Sequence, residues 1–320
     1  MKRLKLSRII YISLIIILFM FTIISCQIQQ QNPKPQEEKK DKIPNQLSTL
    51  EEKLKEVQKE MEKLQEEIEK PIELQIAEEQ KKKQQDEGKN QDSQQQGEDG
   101  ENQGQEGQGQ DQGQNQNQGQ GEEKESPEEM IERQRKMAEM KKEQSILMMR
   151  ESLSKKVEQI HAHWNGYETK AIEDGASEED IKKFEDALNN LTIAVDEDND
   201  MDALMSLNSI TLHMARFFDF YKGNPDGEIL RLMYYARQIY LDGSAESWDK
   251  SQESSQNLKS ALDRLEKKIE LSKDKEELMK NLTLSVDDYT LVIKNKNKEL
   301  LKIKKDVLLK NLEKVRDEAK

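Results

Sequence analysis

A run of 52 consecutive residues, Glu78 to Glu129, contains no alanine, valine, isoleucine, leucine, methionine, phenylalanine, tryptophan, tyrosine or cysteine. A segment without apolar side chains cannot bury a core, so any folded part must lie on either side of it. The centre of the run, Asp86 to Gly121, holds nine glycines and no proline. This composition predicts a flexible coil, and we assign residues 78–126 as a disordered linker rich in Gln, Gly and Glu.

The N-terminus has the order of an export signal. Four cations precede an apolar segment, Ile9 to Ile24, and its sixteen residues are fewer than the roughly 20 that a membrane-spanning helix needs. The end of this region, Ile23-Ile24-Ser25-Cys26, resembles the lipobox of bacterial lipoprotein precursors. The resemblance implies that residues 1–25 are a signal peptide and that Cys26 carries diacylglycerol and palmitate. The exported chain would then be held by lipid on the extracytoplasmic face of the cell membrane. An uncleaved anchor helix and an ordinary secretory signal are the alternatives.

Cysteine usage and charge narrow the class of partner. Cys26 is the only cysteine, so the chain can form no internal disulfide. Removal of residues 1–25 takes away four positive charges and no negative one, so the net charge falls from −14 to −18. An acidic chain is poorly suited to nucleic acid or to anionic lipid headgroups. We therefore expect no nucleic-acid partner, and we expect membrane association through the lipid on Cys26.

A short heptad repeat lies between the signal and the linker. Residues 26–46 are a polar tether, and after Pro44 apolar residues recur at intervals of three and four. This spacing predicts a short coiled-coil helix within residues 47–77, with Pro71 as its stop. Its seam pairs either with the folded domain or, as a homodimer through residues 47–68, with a second copy; a solvated spacer helix is the alternative. The seam consists of Leu47, Leu50, Leu54, Val57, Met61, Leu64 and Ile68.

Residues 127–320 carry helical patterns throughout. Ser126 followed by Pro127, and Ser177 followed by Asp180, are typical of helix starts. Apolar residues then recur at helical spacing, and no segment alternates with a period of two. The sequence therefore predicts an all-α fold, a multi-helix bundle preceded by the short coiled-coil helix and the disordered linker.

Turn residues divide the later part of this bundle. One helix runs from about Asp226 to Leu241, and Gly243-Ser244 is expected to break the chain after it. The next helix extends from Trp248 to the neighbourhood of Ser272. A final helical region is expected from about residue 274 to residue 319.

Two histidines, His161 and His163, are the candidate metal ligands. Residues two apart on a helix point in nearly opposite directions, so both imidazoles cannot face one ion. We expect them to be partly buried, and we expect no metal or other cofactor. The acidic turn 196–200 begins like a calcium loop, but Met201 and Leu207 stand where that loop needs glycine and glutamate. The turn therefore indicates a solvated helix cap.

Aromatic residues suggest a different kind of site. Seven of them lie within 24 positions of the third and fourth helices of the bundle, more than one buried stripe can hold. The excess, together with Trp164, gives a candidate ligand groove formed by Trp164, Phe220, Tyr234 and Tyr235. Methionines crowd the first bundle helix, whose first half is otherwise polar. They admit copper binding, although methionine is also a good helix former and core filler.

No catalytic constellation stands out. The sequence has no glycine-rich phosphate loop, no recognisable Ser/His/Asp set and no carboxylate pair that is distinct among 65 acids, so we expect no enzyme. The organisation favours a lipid-anchored binding or scaffolding module that recognises a protein or cell-wall partner at the cell surface. Two alternatives stay open, an extracytoplasmic bundle that senses a small ligand or metal, and a structural spacer.

Overall fold

The computed structural model describes residues 42–78, 81, 126–269 and 276–318. Within these ranges the protein is helical and has no strand, which confirms the all-α multi-helix bundle. The predicted signal peptide, Cys26, most of the predicted tether and most of the predicted linker lie outside the described residues. The main helices are α1 (Asn45–Glu69), α2 (Pro127–Glu173), α3 (Glu178–Asp196), α4 (Asp200–Phe218), α5 (Asp226–Ser244), α6 (Trp248–Lys268), α7 (Glu276–Val292) and α8 (Lys298–Glu318).

Two helix starts follow the predicted capping chemistry. The Ser126 side chain accepts a hydrogen bond from the Glu129 backbone N–H at 3.2 Å, and the Glu129 carboxylate accepts one from the Ser126 N–H at 2.8 Å. Ser177 and Asp180 form the same reciprocal pair at 3.1 and 3.0 Å. Each pair satisfies N–H groups that the first turn of a helix leaves without partners. The predicted starts of α2 and α3 are therefore confirmed.

Helix α1 lies antiparallel to α2. The Lys156 ammonium of α2 contacts the Glu60 carboxylate in the middle of α1 at 2.6 Å. Nearer the N-terminus of α2, Lys142 donates to the carbonyl oxygens of Ile68 and Lys70 at 2.9 and 2.6 Å. Lys142 thus satisfies carbonyl groups that the C-terminus of α1 would otherwise leave without partners.

The heptad seam of α1 is buried inside the chain's own bundle. Six of its members are at most 6% exposed, and Ile68 is partly buried against the same core. The seam contacts α2 and α4. The heptads allowed two partners for this seam. In the structure the seam packs against the folded domain. The homodimer through residues 47–68 stays a prediction, and burial of this seam leaves it little exposed apolar surface for a second copy.

The other helices form a sequence of antiparallel neighbours. Helix α3 packs between α2 and α4, α5 packs against α4 and α6, and α8 packs against both α5 and α7. Cross-helix contacts fix the direction of the last pair, since Lys304 contacts Asp288 at 2.7 Å and the Asn311 amide donates to the Asn281 carbonyl at 3.4 Å. Arg316 of α8 contacts Asp226 of α5 and Glu51 of α1, so these three helices meet at one point.

The predicted final helical region is two helices rather than one. Helix α7 ends at Val292, a 3₁₀ turn covers Ile293–Asn295, and Lys296 has a left-handed backbone with φ of 50°. The Asn297 side chain then accepts from the Leu300 N–H at 2.9 Å and caps α8. A left-handed residue followed by an Asn cap ends one helix and starts the next.

Gly243 does not break the chain as predicted. Helix α5 continues through it to Ser244, and the chain turns at Glu246, whose φ is 59°. A Cβ atom on Gly243 would lie 2.5 Å from Cδ2 of Leu301 and 3.2 Å from the Trp248 ring. The glycine therefore allows α5 to approach α8 and the start of α6 closely.

Candidate functional site

The longest helix, α2, has two halves that differ in the burial of their apolar side chains. From Leu153 onward the stripe is core, with Leu153 2%, Ile160 0% and Trp164 4% exposed. Earlier in the helix, six large apolar side chains are between 42% and 68% exposed. Ile131 lies on a different side of the helix, whereas the other five share one face. We call these five the Met stripe: Met130, Met137, Met140, Leu147 and Met148.

The Met stripe occupies one face of α2. With about 100° of rotation per residue, its side chains fall within an arc of about 100° and extend over about 27 Å. In the same half of the helix, Ala138, Ile146 and Met149 are buried or partly buried, and they lie on the side that faces the bundle. Arg133 and Gln144 lie within the same arc as the Met stripe and interrupt it. An exposed, largely apolar face marks an interaction site, and methionine side chains adapt to varied partners.

Local interactions hold this half of α2 in helical form. The Ser126 cap lowers the pKa of the Glu129 carboxyl, through its backbone N–H first and its side chain second. One turn further on, Lys136 lies 3.4 Å from Glu132 in an exposed ion pair. Such pairs contribute little to stability and leave the apolar face uncovered.

A buried ion cluster joins α1 to the end of the chain. Arg316 of α8 is 4% exposed and donates from Nε to Asp226 at 2.6 Å and from Nη2 to Glu51 at 2.7 Å. Its Nη1 donates to the other Glu51 oxygen. Burial alone would raise the pKa of Glu51, but Arg316 and Lys55 outweigh it and the pKa is lowered. The cluster therefore holds two buried acids, each in contact with the buried Arg316.

A polar cavity of about 500 Å³ adjoins this cluster. The N-terminal part of α1, the α4–α5 turn and the C-terminal part of α8 form its walls. The Asn224 side-chain nitrogen is buried there and has no hydrogen-bond partner among the described residues. The volume is in the range of small-molecule sites. The charged lining residues are Glu51, Glu52, Lys55, Lys222, Asp226 and Arg316.

A second arginine lies in the α1 interface, but its Nε lacks a hydrogen bond within the described part of the chain. The Nε of Arg237, on α5, is buried and makes no hydrogen bond among the described residues. Burial lowers the pKa of Arg237, and Glu62 and Glu313 oppose this only through their charges at a distance. Cavities of about 50 and 20 Å³ adjoin the side chain, and the larger has room for a water molecule.

The predicted aromatic groove is divided between two places. Trp164 and Phe220 are 4% and 3% exposed and belong to one aromatic cluster, in which Trp164 stacks on Phe184 with 4.1 Å between ring centroids. Tyr234 and Tyr235 contact each other edge to face on α5 and are partly buried. The first two therefore offer almost no surface to a ligand, and the groove stays a prediction for the two tyrosines only.

The metal candidates have other partners. The Nε2 of His161 lies 2.8 Å from the Thr192 hydroxyl, and His163 is partly exposed. In the acidic turn, Asp198 and Asp200 contact Arg150 at 3.0 and 2.9 Å. Over the described ranges, no group of three or more His, Cys, Asp or Glu side chains is arranged to hold a metal ion.

Sequence reasoning missed the charged residues of the α1 interface. Glu51 and Arg316 are 265 positions apart, so no local pattern links them. The only signal was that Glu51 directly follows the seam residue Leu50. None of the helices in the described part of the chain combines the length and apolar character that a membrane span requires. Comparison with protein-family models, curated proteins and solved structures finds no match to this chain.

Proposed function

We propose that this protein is a lipid-anchored binding module of the bacterial cell surface, whose bundle presents the Met stripe to a helix of a partner protein. The observation that carries the proposal is the stripe itself, an exposed apolar face on a helix whose other face belongs to the core. Contact with a second apolar face removes such a surface from water. A structural spacer would have no use for it.

The shape of the stripe favours a helical partner. It is a straight, narrow face about 27 Å long, which matches the apolar face of another amphipathic helix. Charged residues of both signs flank it, among them Lys136 and Glu143. Mixed charges suit a protein helix with a matching pattern better than a uniformly charged surface.

Photo-crosslinking tests the stripe as a binding surface. A photoreactive residue replaces Leu147, which is 68% exposed, in the full chain expressed in bacterial membranes. Leu291 on α7 is the matched control, because it is apolar and 60% exposed but lies outside the stripe. We expect discrete protein adducts from position 147 and none from position 291. Equal adducts from both positions, or none from either, would contradict the proposal.

The anchor is tested separately. The N-terminal cations, the apolar segment and the lipobox-like residues support export and acylation at Cys26. We expect the chain to incorporate labelled palmitate and to stay with the membrane fraction, and we expect the Cys26→Ala variant to lose the label. A wild-type chain without label would contradict the lipid anchor while leaving the Met stripe unaffected.

The polar cavity supports a second candidate function, the binding of a small polar molecule. Three cationic and three acidic side chains line it, and a buried Asn224 nitrogen there lacks a partner. This balance of charge suits a zwitterion such as an amino acid or dipeptide. A specific ligand at 100 times its Kd would add about 2.7 kcal/mol to the free energy of unfolding. The absence of any thermal shift across amino acids and dipeptides would exclude this class.

A further inference from the structure

The Met stripe is complementary to itself when two copies of α2 run antiparallel. We infer that its occupant is a second copy of this chain, an inference that rests on the proposed function of the stripe. In a two-fold arrangement centred at the level of residues 138–139, Met137 of one copy faces Met140 of the other, and Met130 faces Leu147. Each of these four apolar residues then meets another apolar residue, as a two-fold interface requires.

The charges beside the stripe distinguish the two possible directions. In the antiparallel arrangement, Lys136 lies beside Glu143 of the second copy, and both side chains are exposed in the single chain. Arg133 then faces Gln144 across the seam. In a parallel pair, Arg133 would face its own copy and Lys136 would approach Lys141. Like charges in these positions disfavour a pairing, so the sequence selects the antiparallel one.

The bundle leaves room for this partner. The antiparallel overlap covers residues 127–150, because beyond Arg150 the helix of the second copy has already ended. Helix α3 packs on the later half of α2, where Trp164 stacks on Phe184. Helix α1 packs on the side that holds Ala138 and Lys142, away from the stripe. Neither α1 nor α3 covers the Met stripe.

The contact is short, so the expected dimer is weak. One face of a 24-residue helix falls at the low end of specific interfaces, and we expect dissociation at roughly tens to hundreds of micromolar in solution. Confinement of both copies to one membrane raises their effective concentration and favours pairing there.

Disulfide trapping in membranes tests the pairing and its direction. Two differently tagged full-length chains carry Met130→Cys and Leu147→Cys, and they are expressed separately and together before mild oxidation. The antiparallel pair brings residue 130 beside residue 147 of the second copy, while two copies of residue 130 lie about 25 Å apart. We expect heterodimers of the two variants and few homodimers of either. The wild type, whose only cysteine is Cys26, and Leu291→Cys give the background.

Other outcomes overturn the inference. Homodimers of each variant without heterodimers would indicate a parallel pair, and yields at the Leu291→Cys background would exclude a second copy. If photo-crosslinks from position 147 then still reach another protein, the binding function stands and only the occupant is wrong. If neither experiment gives adducts, both proposals fall.

A charge exchange checks the flanking contacts. Lys136→Glu places two acids beside each other at both symmetric positions, and we expect the heterodimer yield to fall by roughly fivefold to tenfold. Adding Glu143→Lys restores opposite charges, so the double variant should recover the yield. A double variant as weak as the single one would contradict the antiparallel register.

Discussion

Two arginine side chains lie in the interface between α1 and the rest of the bundle. They differ in whether acidic side chains contact the guanidinium group. Arg316 is held by two acids, Glu51 and Asp226, and its pKa is raised despite its burial. Arg237 has a buried Nε without a partner, and burial lowers its pKa. The same guanidinium group is thus accommodated only where α1 supplies a carboxylate in direct contact. Of the two cations buried against α1 in the described ranges, Arg316 is paired directly and Arg237 is not.

The largest expected effect comes from removing the satisfied arginine. Arg316→Met leaves Asp226 without its cation and Glu51 with the exposed Lys55 alone, and we expect the free energy of unfolding to fall by about 3–5 kcal/mol. Urea denaturation followed by circular dichroism measures this change. Lys298→Met, which removes an exposed pair with Glu246, is the control and should change stability by less than about 0.5 kcal/mol. An Arg316→Met effect as small as the control would break the comparison.

The unpartnered arginine should respond with the opposite sign. Arg237→Met replaces a poorly satisfied charge with an apolar side chain of similar length, and we expect the free energy of unfolding to rise by about 1–2 kcal/mol. The same denaturation experiment detects the increase. A clear loss of stability would mean that Arg237 has a partner in solution, and the contrast with Arg316 would disappear.

A third cationic side chain, Lys142, lies at the C-terminal end of α1. Its removal should lower stability by less than the removal of Arg316. Lys142 donates to the carbonyls of Ile68 and Lys70, and Lys142→Met removes this cap. We expect a loss of about 1 kcal/mol, because solvent can partly replace the hydrogen bonds of a half-buried group. Hydrogen exchange of the last turn of α1 should increase in this variant. Unchanged exchange there would show that the cap does not hold the helix end.

The smallest effect is the pH dependence of the Glu51 contact. Its folded pKa is lowered, because Arg316 and Lys55 outweigh burial. The ionised carboxyl therefore adds stability above its unfolded pKa of about 4.5, and this contribution is lost as the pH falls through the folded value. We expect the stability difference between wild type and Glu51→Gln to shrink as the pH falls below about 4.5. The exposed neighbour Glu52→Gln should show no such trend.

Local patterns predicted much of the fold, and long-range contacts set the limit. The caps at Ser126 and Ser177 involve residues three apart, so they are visible in the sequence. The heptads predicted that α1 pairs, but the identity of its partner depends on helices that follow the linker. The break at Lys296 was missed because the apolar stripes on either side of it both have helical spacing.

The candidate site was less predictable for the same reason. The methionines of α2 are evident in the sequence, but their function depends on whether another helix covers them, which no local pattern decides. Trp164 was placed in a groove with aromatic residues of later helices, whereas Phe184 and Phe217 enclose it in the core. The pairing of Arg316 with Glu51 joins the two ends of the chain and could not be read from either.

The packing of α1 has a consequence for the integrity of the chain. Helix α1 is joined to α2 through a run of 52 residues without apolar side chains, yet six of its own side chains are core and one of its acids holds Arg316. A polar segment with no apolar side chain to bury is expected to be a preferred site of proteolytic cleavage. A single cut in that run severs the backbone without removing any contact between α1 and the bundle. Residues 126–318 then act as a receptor and α1 as its bound peptide, so a nicked molecule stays attached to whatever holds its N-terminal part.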